Sequence, residues 1–322
     1  MRLYAGWTLS NSRTARNNDI APRRVCYAPR PMTALPQPMP SRRPSHVCHA
    51  AGQGWRAWFA AAALAGCAGA IAQDEVPFVT SPHPVTQAML DLARVGARDV
   101  VLDLGSGDGR IVITAAKRFG ARGIGVELSP QLVETSRQNA ARAGVTERAE
   151  FRVQDLFETD LAVASVITMY LLPEVNLQLR PKLLALKPGT RVVSHDWDMA
   201  DWRPDRTVVV DAPDKPVGLE KKSRVHLWIV PAPVAGLWCR GRDALRLQQS
   251  FQVVRGQWQR SGASRPLAAA TVRGEQLTLK GSRGGGARLR WRDGRLHVTA
   301  ADGALGALRG APFVRSAGDS CA

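Results

Sequence analysis

Residues 100–128, VVLDLGSGDGRIVITAAKRFGARGIGVEL, decide the fold. The apolar run Val100–Leu104 reads as a buried strand, and Gly105, Gly107 and Gly109 as a tight turn. A helix is expected over Arg110–Phe119 and a second strand over residues 123–128, which carries an acid, Glu127, near its end. An acid at Asp103, alternating glycines and a second acid after the next strand describe a site for a nucleoside cofactor. Glycines permit the turn and let a ligand approach the backbone closely. Open α/β sheets bind ligands at the carboxyl ends of their strands.

Spacing selects the cofactor class. A dinucleotide fingerprint, G-x-G-x-x-G, needs its third glycine three places after the second, where this chain has Arg110. The third glycine comes one place early, and Asp103 ahead of the turn would repel a pyrophosphate while suiting a cation. D-x-G-x-G-x-G followed by an acid on the second strand resembles motif I of class I S-adenosylmethionine methyltransferases. The resemblance implies S-adenosyl-L-methionine as cofactor. Asp103, Gly105, Ser106, Gly107 and Gly109 would then surround its methionine part, and Glu127 would bond both ribose hydroxyls.

Around this motif the chain alternates helices and strands. Residues 77–84, PFVTSPHP, are extended by their prolines, and residues 84–95 have helical apolar spacing. Ser129 and Pro130 open a helix that Gly144 closes, and Ala149–Val153 is the third strand. Strands over residues 165–171 and 190–194 flank a helix over 176–186, and residues 208–211 and 225–230 suit a final antiparallel pair. The expected class is α/β, a doubly wound, seven-stranded Rossmann-like methyltransferase sheet over residues 76–232. In that family an acid ending the third strand contacts the adenine amino group, which implies this role for Asp155; capping of the following turn is its other reading.

PFVTSP, DLGSGDGRIVI, YLLPE and RVVSHDWDMADW together resemble a bacterial group related to the mitochondrial ATP synthase c-subunit lysine N-methyltransferase. That resemblance implies a protein lysine as methyl acceptor. A lysine amine has a reference pKa of about 10.4 and must lose its proton before it attacks. Tyr170, Glu174, His195 and Asp196 fall at the carboxyl ends of the fourth and fifth strands, the edge that faces an acceptor. Tyr170 is read as a wall of the acceptor site or a hydrogen-bonding partner of the amine, and Glu174 as the group that orients it. Each has a plainer reading: Tyr170 as a core aromatic, Glu174 as an acid favoured by a helix N-terminus, His195 as a satisfied loop histidine. Asp196, Trp197 and Trp202 are expected to shape the same pocket.

The net charge of +17 is unevenly spread. Residues 1–72 carry nine basic side chains against one acid, residues 73–232 twenty against twenty-one, and residues 233–322 fifteen against five. The catalytic region is therefore neutral, and it lacks the N/D-P-P-Y/F signature of many base-amine methyltransferases, which argues against a nucleic-acid substrate. Residues 1–55 are rich in proline and arginine without apolar periodicity and read as disordered or as a mis-assigned leader, with Met32 or Met39 as alternative starts. Residues 56–72 end on Ala70-Ile71-Ala72 and read as a signal peptide, a lipoprotein signal with Cys67 in its box, or an anchor. Export, or attachment to the cytoplasmic face of a membrane, follows from that reading.

Residues 236–315 form a separate module of period-two alternation, with segments 244–254, 272–279, 288–292 and 296–299 read as strands and Asp293-Gly294 as a hairpin turn. A small antiparallel β domain, an open barrel, is expected. Arg288, Arg290 and Arg292 fall on one strand face, which suits an acidic membrane surface, a nucleic acid or plain solvation. The cysteine spacing suggests no metal site, and Cys239 and Cys321 leave disulfide formation open. Alternative functions are a methyltransferase for a small molecule or lipid, and an envelope binding protein that keeps the fold without activity.

Overall fold

The computed structural model describes residues 79–321. The leader, the signal-like segment and Cys67 lie outside the described residues. Helix α1 (His83–Leu92) is followed by β1 (Val100–Leu104), α2 (Arg110–Phe119), β2 (Arg122–Glu127), α3 (Pro130–Ala143) and β3 (Ala149–Val153). Then come β4 (Val166–Met169), α4 (Pro173–Leu184), β5 (Arg191–His195), β6 (Arg206–Asp211) and β7 (Lys222–Ile229). These seven strands form one sheet in the order β3-β2-β1-β4-β5-β7-β6, parallel except for β7, which runs antiparallel to both its neighbours.

The α/β class and the terminal antiparallel pair stand as the alternating pattern indicated. β1 and β4 are covered on both faces, which is why they read as continuous apolar runs rather than as alternation. Ser129 accepts a hydrogen bond from the Leu132 N–H, Pro130 occupies the first turn of α3, and Gly144 ends it at φ 69°. The strand order reverses between β1 and β4, so a crevice opens at their carboxyl ends. Asp103, the glycine turn and Tyr170 all lie there.

The second module is a barrel, and a closed one. Strands β8 (Gly236–Arg240), β9 (Asp243–Ser250), β10 (Val253–Arg260), β11 (Ala263–Arg273), β12 (Gln276–Gly281), β13 (Gly286–Arg292), β14 (Arg295–Ala301) and β15 (Phe313–Arg315) follow one another around it, and β15 returns to β8. Closure replaces the expected open barrel because short β15 bridges β14 and β8, leaving no free edge. Two further expectations fail on turns. The run 244–254 divides between β9 and β10 at Phe251, which takes φ 53° without being glycine, and the run 272–279 divides at Gly274, φ 56°. Asp293 and Gly294 make the expected hairpin, both at positive φ. The interior is filled by Trp238, Trp258, Phe313, Leu277, Leu289 and Leu296 among others, so it encloses a core rather than a channel.

Cys239 on β8 is bonded to Cys321 in the tail beyond β15, across 82 residues. The same seam carries the Arg315 guanidinium 4.8 Å over the Trp238 ring and Arg240 4.3 Å over Phe313. The barrel also rests on the sheet. Trp202 stacks on Phe251, Arg273 faces Asp205 at 3.7 Å, and the Ala232 N–H donates to the Gly274 carbonyl.

Candidate active site

The glycine turn is built for close approach. Gly105, Gly107 and Gly109 take φ of 73°, 52° and 80°, conformations that side chains disfavour. A Cβ on Gly109 would stand 2.7 Å from Phe151. The loop is held from behind by α3: Ser136 Oγ donates to the Gly107 carbonyl at 2.7 Å and Asn139 Nδ2 to that of Asp108 at 2.9 Å. Neither was legible in the sequence, because nothing local distinguishes these helix polar residues from others.

Asp103 is buried at the end of β1, and Thr168, its register partner on β4, donates to its carboxylate at 2.7 Å. Burial pushes the Asp103 carboxyl up to about 7 against the pull of Thr168, and the charges of Asp108 and Glu127 add to the rise. Glu127 Oε2 accepts the Gly107 N–H at 3.1 Å, and its other oxygen accepts from Leu128 and Ser129. Leu128, 64% exposed, presents an apolar face beside that acid. Asp155 is half-buried beyond β3, and one of its oxygens accepts the Phe157 N–H at 2.7 Å, so it caps the following turn.

S-adenosylmethionine brings a cationic sulfonium and ammonium at one end and ribose hydroxyls in the middle, and these residues fit it. Asp103 supplies an anion that a cation would stabilise in its ionised form. The turn bares its backbone, Ser106 Oγ is buried without a hydrogen-bond partner among the described residues, and Glu127 offers carboxylate oxygens for hydroxyls. Among the described residues no cluster of His, Cys, Asp and Glu could hold a metal ion.

The wall opposite the turn comes from the chain beyond β4 and from the segment before α1. Tyr170, half-buried beyond β4, lines the cleft, and burial, reinforced by Asp196, raises its phenol pKa. Its ring stacks on His195 with centroids 3.9 Å apart. Residues 79–81 close the third side, and Arg110, clamped by Asp108, donates to the Ser81 carbonyl at 2.8 Å. Ser81 and Arg110 are site residues that sequence reasoning missed. Glu174 lies in the first turn of α4, exposed, and its carboxylate makes no hydrogen bond among the described residues. Its position fits both the acceptor-orienting reading and the helix-dipole one.

Asp196 carries φ 61°, binds Lys215 at 2.7 Å and accepts the Arg224 N–H. Trp197 is 44% exposed just beyond it. Trp202 departs from its expected place: it is fully buried against Trp228 and Phe251 and belongs to the contact with the barrel. The carbonyl of Trp202 accepts from the Trp228 indole, which draws the segment away from the cleft.

The family model described as the ANTKMT methyltransferase domain matches residues 103–206, from the acid of β1 to the start of β6. The chain is 45% identical over 138 residues to a protein-lysine N-methyltransferase of Saccharolobus islandicus, covering 42% of this chain and 86% of that protein. It is 39% identical over 133 residues to the ATP synthase c-subunit lysine N-methyltransferase of Mus musculus, covering 41% of this chain and 53% of that one. This chain therefore spans about half the length of the mouse protein. A structure of an RNA methyltransferase from Salinibacter ruber in complex with S-adenosyl-L-homocysteine is 52% identical, covering 48% of this chain and 96% of that one, with a TM-score of 0.44. The barrel lies outside the span of the family model. With the glycine turn, the paired acids and the sheet order in place, the extent of the archaeal match assigns this chain to the family of S-adenosylmethionine-dependent methyltransferases that includes the lysine N-methyltransferases.

Proposed function

We propose that the protein transfers the methyl group of S-adenosylmethionine to the side-chain amine of a lysine in a protein acceptor. The observation that carries this reading is the 45% identity to the archaeal protein-lysine N-methyltransferase across 86% of its length. The cofactor supplies an electrophilic methyl on a sulfonium; the chain's own residues position the partners and exclude water. Tyr170 forms the wall of the acceptor site, and its phenol, held in the neutral form, can bond the amine. Glu174, exposed in the first turn of α4, orients the lysine amine, whose proton passes to solvent before attack. Asp155 bonds the adenine amino group with the carboxylate oxygen that its turn leaves over.

Two features outside the cleft extend the reading. The Cys239–Cys321 disulfide supports folding in an oxidising compartment, since such bonds are rare among cytosolic proteins. This favours export over attachment at the cytoplasmic face. On the barrel, Arg288, Arg290 and Arg292 point outward from β13, and Arg292 stands directly opposite Arg295 on β14. Like charges placed directly opposite each other are destabilising, and Asp293, 3.3 Å from Arg292, offsets that pair only at its turn end. A contact with an acidic membrane surface, through this face, would bring the enzyme to its acceptor.

Transfer of labelled methyl from the cofactor to bacterial envelope protein, to extracted lipid and to RNA tests the substrate. Label recovered as methyl-lysine after acid hydrolysis supports the proposal; label confined to lipid or RNA overturns it.

A further inference from the structure

We infer that His195 is a positioning residue for the cofactor cleft, holding residues 79–81 across it through Ser81. His195 ends β5 and is fully buried. Its Nδ1 meets Ser81 Oγ at 2.8 Å and its Nε2 meets Ser223 Oγ at 2.8 Å, so both ring nitrogens are engaged. The ring face stacks on Tyr170. One imidazole therefore joins the segment before α1, strand β7 and the wall beyond β4.

The covering segment depends on that junction. Residues 79–81 line the cleft with Asp103, Gly105, Ser106 and Gly107. Two polar contacts fix Ser81 in place, one from each side: His195 at the hydroxyl and Arg110 at the carbonyl. The Arg110 contact is anchored next to the glycine turn, so the two latches join the opposite walls of the cleft. Burial alone requires partners for both nitrogens; what sets this histidine apart is that one of those partners, Ser81, belongs to the segment lining the cleft.

Proton transfer is not the role the surroundings give it. Burial holds the imidazole well below its usual pKa, against the pull of Asp196 and with Lys215 opposing that carboxylate. A neutral ring donates from one nitrogen and accepts at the other, with Asp196 Oδ2 3.4 Å from Nε2 beside the Ser223 hydroxyl, and so serves as a fixed link.

The inference rests on the cofactor reading of the cleft, and the test separates the two. S-adenosyl-L-homocysteine is titrated by calorimetry into the full chain and into Ser81→Ala, His195→Leu, His195→Asn and the Ser81→Ala/His195→Leu double variant, each checked by thermal melting. Ser81→Ala and His195→Leu are each expected to bind roughly five- to tenfold more weakly, the loss of about one hydrogen bond. The double variant should be no worse than the weaker single one, because both remove the same link. His195→Asn, which restores a polar partner for Ser81, should recover part of the affinity. Failure of the wild type to bind overturns the cofactor reading and this inference with it. Wild-type binding with unchanged affinity in Ser81→Ala, a variant at the end of the covering segment, overturns the inference alone.

Discussion

Asp103 and Thr168 face each other across neighbouring parallel strands, and the threonine hydroxyl is the one side-chain partner of that buried carboxyl among the described residues. One hydrogen bond does not offset burial beside Asp108 and Glu127, so the carboxyl titrates near 7. The native state therefore holds this proton at pH values where an unfolded chain, with its ordinary carboxylate pKa, has released it. By linkage, this residue's contribution to stability is greatest below the unfolded pKa and declines as pH rises towards about 7. A cationic cofactor needs the ionised form. Its affinity should fall by up to about tenfold per pH unit below 7 and level off above, with proton release on binding near neutrality. Calorimetry in buffers of different ionisation enthalpy measures both. Asp103→Asn should flatten the profile and weaken binding at pH 8.

The left-handed position before α2 leaves no room for a side chain. Gly109→Ala places a methyl 2.7 Å from Phe151 and 3.0 Å from the Ser136 Cβ at φ 80°. Strain and overpacking together should destabilise the fold by about 2–5 kcal/mol. Chemical denaturation followed by circular dichroism reads the change.

How much of this was legible depended on the kind of signal. The turn from Gly105 to Gly109 carries its conformation in its composition, and so does Asp293-Gly294 in the barrel. The Phe251 turn does not, because a bulky residue at positive φ is held there by its contacts with Trp202 and Arg180. Tyr170 and Asp103 could be placed at the right sheet edge from strand order alone. Ser81, Thr168 and Ser136 could not, since each becomes a site residue only when a distant strand or helix arrives beside it. Trp202 misled for the opposite reason: it follows β5 closely in the sequence, whereas its ring is buried against Trp228 and Phe251.

The disulfide fastens the thinnest part of the barrel, where β15 pairs with β8 at only two positions. Closing a loop of 82 residues is worth about 4.5 kcal/mol by chain entropy. Cys321→Ser should lower the unfolding midpoint of the barrel, and reductant should lower that of the wild type to match. Mass spectrometry of protein purified from cells should find Cys239 and Cys321 joined; free thiols at both would contradict the exported reading.

The basic face of β13 should act through charge alone. Arg288→Glu/Arg290→Glu/Arg292→Glu should abolish co-sedimentation with vesicles containing phosphatidylglycerol while leaving the melting temperature nearly unchanged, since all of these side chains are exposed. Binding by the wild type should weaken as salt rises. Retention of the triple variant on the vesicles would dismiss this face as the contact.

The cofactor pocket is the claim on which the rest depends. The most direct measurement is calorimetric titration of S-adenosylmethionine into the protein, with Gly107→Arg as the variant whose turn is obstructed. One site per chain with micromolar affinity is expected, lost in Gly107→Arg although that variant still folds. A well-folded wild type that binds no cofactor, or a Gly107→Arg variant that binds it equally well, would contradict it.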